Sequence, residues 1–319
     1  MKKLALTSLL LVILLVSVSA YLRLDHSGIG CQDWPACYGK IGAAAEMAPT
    51  VGNAYERLAE DALKPLSWAT PVHRLVASIL GLLILAMALV SLRQKRDRLL
   101  SLSLLGLTVF LAWLGIYSGG LHNPAVVMGN LGGGFTMLGL LGWMGFQSEP
   151  AAASNAGPAR KWVIAALVLL ALQIGLGGLT SANFAASACQ TLPDCHGSYL
   201  PGSQLAVALD ITRAHEIGST GLAVGGSERA DIHKLHRIGA VVASLVILAA
   251  AVMSLRSGLV ATAVAVIFVV VLEFAVGITA VLADIPISVA VAHNWLAAML
   301  LLGLLRLLAL NNRQEAMAA

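Results

Sequence analysis

The chain has 319 residues, of which 58% are hydrophobic and only 11% charged, and its mean hydropathy is +0.85. A soluble globule needs about a quarter of its residues charged to cover its surface, so one or two soluble domains are excluded and a polytopic membrane protein is implied. The formal charge of +4 does not point to nucleic acid, because the basic residues sit in short clusters beside apolar runs, as the positive-inside rule expects.

Windows of about twenty residues give eight predicted spans: 4–22, 71–92, 99–118, 124–146, 161–180, 232–255, 258–281 and 287–309. Lys2 and Lys3 precede the first. That span ends near Val18-Ser19-Ala20, which by itself reads equally as a signal-peptide cleavage site or as part of a retained helix. The loop that follows, 23–70, carries Cys31, Cys37 and a helix-like stretch, Ala54–Lys64, holding Glu56, Glu60 and Asp61 and suited to the membrane surface. Span two opens on His73-Arg74. Arg93, Lys95, Arg96 and Arg98 join spans two and three, and Arg160 and Lys161 join four and five. Loop 181–231 then carries Cys189 and Cys195. Span six opens on His236-Arg237, Arg256 joins six to seven, and His293 lies about two turns into span eight. The basic clusters all fall on one side, so both termini are expected in the cytoplasm.

The chain repeats itself. C-Q-x-x-P-x-C-x-G occurs from Cys31 and again from Cys189, an offset of 158. His73 matches His236 at 163, Gly115 matches Gly277 at 162, and Asn130 matches His293 at 163. Such self-similarity marks two like-oriented four-helix halves. We expect an all-α integral membrane fold with an N-terminal bundle 1–146, a Pro/Ala/Gly-rich cytoplasmic linker 147–160 and a C-terminal bundle 161–319. Span one has a counterpart in span five, which favours the retained helix.

All four cysteines lie on the expected oxidising side. A Cys-x5-Cys pair around a proline suits a short disulfide staple worth about 2–3 kcal/mol. A redox-active thiol pair is the other reading, and the two stand closer for Cys31–Cys37 than for Cys189–Cys195. Zinc is disfavoured, because the pairs lie in separate loops. Ionisable groups within spans are costly and mark function. His73, His236 and His293 fall at similar depth, and imidazoles facing each other across a bundle are the usual axial ligands of haem iron. The competing reading is hydrogen-bonded histidines near the interface. Arg74 and Arg237 suit haem propionates or headgroups. His233 reads as an interfacial residue or a secondary partner of the histidine site, while His26, His122, His196 and His215 lie in solvated loops. Glu273 is the one carboxylate well inside an apolar run, four residues before Gly277 as Gln173 is before Gly177, and reads as a hydrogen-bonding group or proton relay.

The loop G-I-G-C-Q-D-W-P-A-C-Y-G, the two His-Arg openings, L-Q-I-G-L-G-G-L-T (172–180) and V-A-H-N in span eight together resemble the haem A synthase family over nearly the whole chain. The resemblance implies two similar four-helix bundles and a membrane oxidoreductase that converts haem O to haem A, oxidising a ring methyl to a formyl group for cytochrome oxidase. It implies a haem b cofactor between His236 and His293 in the second half, with Arg237 beside it. In the first half it implies substrate haem O held by His73 with Arg74. The implied partners are haem O, haem A, a haem O synthase and a cytochrome oxidase subunit, in a multi-pass cell membrane setting, with a homo-oligomer also open. Two positions depart from the family pattern. Asn130 stands where a span-four histidine is expected, and Thr70 where a carboxylate is expected. With Glu56 of loop one, these are the candidate catalytic positions beside His73. The departures keep a second reading open, a non-catalytic haem-binding assembly factor for a terminal oxidase.

Overall fold

A computed structural model describes residues 2–24, 68–117, 124–147, 159–213 and 225–318. Cys31, Cys37, Glu56, Glu60, Asp61, His26, His122, His215 and nearly all of the linker lie outside the described residues.

Continuous apolar runs in a solvent without water leave the backbone only its own hydrogen bonds, so each run becomes a helix. Among the described residues the eight long helices are α1 (Lys2–Leu24), α2 (Ala69–Gln94), α3 (Arg98–Tyr117), α4 (Pro124–Phe146), α5 (Ala159–Ala182), α6 (Ser227–Arg256), α7 (Val260–Leu282) and α8 (Ile287–Ala318). All eight are long and apolar enough to cross a membrane. Among the described residues there is no named β-strand, only an isolated bridge between Cys195 and Ser198. Sharp turns end the helices where the sequence permits them: Lys95 and Asp97 take left-handed backbone between α2 and α3, and Gly258 (φ 83°) does so between α6 and α7.

The predicted spans agree with the helices to within a few residues except at two ends. Helix α8 runs past 309 to Ala318, and α6 begins at Ser227 rather than 232. Hydropathy stops at the bilayer, but backbone hydrogen bonding does not. The extra turns of α6 are polar and covered by loop 183–213. Glu228, Asp231, His233 and Lys234 are all buried. Asp231 pairs with Lys234 at 3.1 Å and accepts the Gln204 N–H at 3.2 Å. Asn183 Nδ2 donates to Ala208 O at 3.0 Å, and Arg229 donates to Phe184 O. Further out, the Thr212 hydroxyl and N–H both donate to Asp210 and hold its carboxyl below the usual carboxylate range.

Each half closes on itself. In the first, α1 packs on α2, α2 on α3, α3 on α4 and α4 on α1; in the second, α5 packs on α6, α6 on α7, α7 on α8 and α8 on α5. The halves meet through α4–α5, α1–α8 and α4–α8 contacts, a set that maps onto itself when the halves are exchanged. The repeat in the sequence is consistent with this arrangement. One buried cluster runs through the first half around Ile84, Leu104, Leu138 and Leu141 and takes in Ala298 of α8. The other lies wholly in the second half, around Ala166, Ile247, Ala263 and Leu304. Small residues allow the close approach where lipid offers no hydrophobic drive between helices. A Cβ on Gly142 would stand 2.5 Å from Leu302 across the α4–α8 contact.

Candidate functional site

The second half brings together two of the predicted residues. His236 on α6 and His293 on α8 face each other with ring centroids 6.4 Å apart and planes at 88°. Two imidazoles bound through nitrogens about 2.0 Å from one metal on opposite sides would have ring centres roughly 6.3 Å apart. Among the described residues no group of three or more His, Cys, Asp or Glu gathers to hold a metal ion. Two facing imidazoles and nothing more suit an iron whose other ligands come from a macrocycle.

Each ring is met at Nδ1 by a polar side chain from a neighbouring helix. Gln173 on α5 lies 3.0 Å from His236 Nδ1 and also donates to the His236 carbonyl at 3.0 Å. Glu273 on α7 lies 3.1 Å from His293 Nδ1, at ion-pair distance though not aligned as a hydrogen bond. Four residues on from each, a glycine supports the ring. A Cβ on Gly177 would stand 3.1 Å from His236 Cε1, and one on Gly277 would stand 3.2 Å from His293 Cε1. At both rings the contact at Nδ1 leaves Nε2 as the atom free to ligate. The Glu273 carboxylate, 3.1 Å from His293 Nδ1, favours the proton on that nitrogen, and the Gln173 amide holds the His236 ring through its contacts at Nδ1 and at the backbone carbonyl. The residues present therefore fit a bis-histidine haem. The sequence paired Gln173 with Glu273 by their spacing from a glycine. It did not reveal that each would meet a histidine.

Arg237, a predicted propionate partner, has its donors directed elsewhere. Its guanidinium donates to the carbonyls of Thr191 (2.7 Å), Asp194 (2.9 Å) and Cys189 (2.8 Å). These three span the loop that the Cys189–Cys195 disulfide closes, with Cα atoms 5.0 Å apart and a cis Leu192–Pro193 bond inside. Cys189 and Cys195 are thus joined as a disulfide, as expected for this pair. His233 is neither solvated nor beside the ring pair as a hydrogen-bond partner. It is 5% exposed and its Nδ1 lies 3.0 Å from Ala185 O, so it anchors the same loop region to α6. His196 is in the loop as expected, exposed, with Nε2 2.8 Å from Ala188 O.

The first half presents a cavity of about 380 Å³ where the second presents its histidine pair. Helices α1 to α4 all line it, with His73, Arg74, Asn130 and Gly115 among the residues named from the sequence. Asn130 does not act as a second imidazole: its Nδ2 donates to Val126 O one turn back at 3.0 Å. His73 has no hydrogen-bond partner among the described residues. Thr70 is 4% exposed, one turn before His73, with an Oγ1 that is buried and unpartnered among the described residues; it is not among the residues lining the cavity. Arg23, which no motif singles out, also lines it. The available signal was a basic residue at the non-cytoplasmic end of a span, against the charge rule.

Residues 2–305 match the family model described as cytochrome oxidase assembly protein. The chain is 32% identical over 305 residues to a protein named heme A synthase from Shewanella oneidensis, covering 93% of this chain and 92% of that one. A heme A synthase from Caulobacter vibrioides is 26% identical over 321 residues, covering 91% and 90%, and one from Rhizorhabdus wittichii is 26% identical with 92% and 89% covered. Matched by the family model over residues 2–305 and along its length by these relatives named as haem A synthases, the chain belongs to the cytochrome oxidase assembly protein family.

Proposed function

We propose that the protein is a membrane oxidoreductase that makes haem A from haem O for cytochrome oxidase, with its two halves as separate haem sites. The single observation that carries this reading is the facing pair His236–His293 at 6.4 Å, each ring supported from the adjacent helix. In this reading residues 1–146 form the substrate half, 147–160 the linker and 161–319 the cofactor half. The chain crosses the cell membrane with both termini cytoplasmic and both cysteine loops outside.

In the second half, His236 and His293 would hold a haem b through their Nε2 atoms. Glu273 would keep the proton on Nδ1 of His293 and make its ligating nitrogen more basic, while Gln173 would hold the His236 ring in place. The bound iron supplies one-electron chemistry that no side chain offers. In the first half, His73 holds the iron of haem O at the loop end of the cavity, and Arg74 neutralises a propionate. The apolar walls formed by Leu80, Leu111, Phe135 and Met137 exclude water and orient the ring, so that one methyl is presented for oxidation. Asn130, with its amide turned to Val126 O, leaves the position opposite His73 without an imidazole. Thr70, one turn from His73, is the hydrogen-bonding group that stands in the expected carboxylate's place, and Glu56 is the acid of loop one assigned to this half.

Co-expression with a haem O synthase, followed by haem extraction, tests the reading. Formyl haem in the wild type and its loss in His73→Ala are expected. Extraction of unmodified haem alone would overturn the enzyme and leave the non-catalytic haem-binding assembly factor. In this reading a haem O synthase is the donor of haem O and a cytochrome oxidase subunit the recipient of haem A.

A further inference from the structure

The charged residue of the first-half cavity that the reading above leaves unused is Arg23. It closes α1 at the end where the long loops leave the bundle, and it lines the cavity together with Ser19, His73 and Arg74. Its Nε is buried, and among the described residues it has no hydrogen-bond or ion-pair partner. A guanidinium stays protonated at any working pH, and a buried cation is tolerated only when something compensates it. The cavity is graded to match. Leu80, Leu111, Phe135 and Met137, further along their helices, line its deeper part, while the two arginines stand at the loop end.

The repeat sharpens the point. At the offset of 158 that relates α1 to α5, the counterpart of Arg23 is Ser181. At the loop end of the second half, Arg237 is taken up by three loop carbonyls and Arg229 donates to Phe184 O. Among the described residues, Arg23 is thus a guanidinium without a partner that faces the first-half cavity.

We propose that Arg23 is the carboxylate anchor of the first-half cavity. It receives an acidic group of an otherwise apolar, planar ligand, which lies with its apolar edge deep between the helices and its acid at the loop end. The anchor fixes which edge of the ligand faces inward. It does not touch the reacting atoms. The inference rests on the haem reading above for the identity of that ligand, whose acids would then be propionates.

The test uses the full-length protein purified with its resident haem. Ferric protoporphyrin IX and its dimethyl ester are titrated in turn and followed by difference absorption. Arg23→Gln is expected to weaken the free acid about tenfold, the equivalent of one charge-assisted hydrogen bond, and to leave the ester unchanged. Arg23→Lys should fall between. Equal weakening of acid and ester by Arg23→Gln would overturn the proposal, since it would mark a packing role, and so would no weakening of either. His73→Ala separates this from the haem reading. Acid binding that survives His73→Ala but falls in Arg23→Gln would sink iron ligation at His73 and leave the carboxylate anchor standing.

Discussion

The two halves use one framework to surround two different environments. At repeat-related positions the second half has Gln173, Gly177, His236, Glu273, Gly277 and His293, where the first has Leu15, Ser19, His73, Leu111, Gly115 and Asn130. All six of the first-half residues line its cavity. The second-half six form a closed set, two imidazoles each with a polar contact at Nδ1 and a glycine under the ring. The difference lies as much in what stands behind the ligands as in the ligands themselves. An imidazole whose second nitrogen is bonded keeps its tautomer and orientation, and such support is typically worth 10- to 100-fold in metal affinity. Leu15 stands where Gln173 meets His236, the counterpart of His73, and Leu111 stands where Glu273 meets His293, the counterpart of Asn130. In the proposed reading, the second half retains what it binds and the first accepts and releases it.

The comparison breaks most completely if the facing histidines do not share an iron. His236→Ala and His293→Ala should each abolish a six-coordinate low-spin b-haem absorption spectrum in the purified protein. Persistence of that spectrum in both variants would remove the cofactor assignment. His73→Ala should leave the same spectrum intact while formyl haem disappears from the extracted pigment, so the two sites respond separately. Parallel loss of both signals would instead mean that the halves are one site.

Smaller changes sharpen the contrast. Glu273→Leu gives the second half the residue that Leu111 supplies in the first. Retention of the resident haem during purification should fall about 10- to 100-fold, and its midpoint potential should rise, because a less basic imidazole stabilises the ferric state less. Redox titration reads this directly, and an unchanged potential would deny Glu273 its role. Cys189→Ser should leave the haem spectrum in place but lower stability by about 2–3 kcal/mol, seen as an earlier thermal loss of the Soret band. Arg237→Ala should act in the same direction, since Arg237 clasps the same loop. The smallest effect is expected from Gly177→Ala. Its Cβ would meet His236 Cε1 at 3.1 Å, so the ring must give by a few tenths of an ångström. A shift in the electron paramagnetic resonance g-values of the low-spin haem, with the haem retained, is the expected outcome.

Much of the site was legible before any fold was known. His73, His236 and His293 stand out because a bilayer penalises ionisable groups, and the repeat pairs them at a nearly constant offset. Glu273 stood out for the same reason. Other features were hidden. Nothing in the spacing directs Gln173 toward His236, because that contact depends on how closely α5 and α6 approach and on Gly239 making room for the amide. Arg237 looked equivalent to Arg74, yet three carbonyls of a disulfide-closed loop lie within its reach, and a loop's path cannot be read from its residue types. His233 looked interfacial because hydropathy placed the bilayer boundary at 232. The polar turns of α6 instead continue under loop 183–213.

By itself the amino-acid order determined the number of helices, their limits to within a few residues at most ends, the duplication and the residue types that hold chemistry. These follow from local physics: twenty apolar residues in lipid have no alternative to a helix, and a duplicated pattern needs no coordinates to be seen. The tertiary structure alone decided which imidazoles meet, which side chains support them and which arginine is left facing an open cavity. Those outcomes depend on helix rotation and on separations of a few ångströms between chain segments far apart in sequence, and no local pattern carries that information.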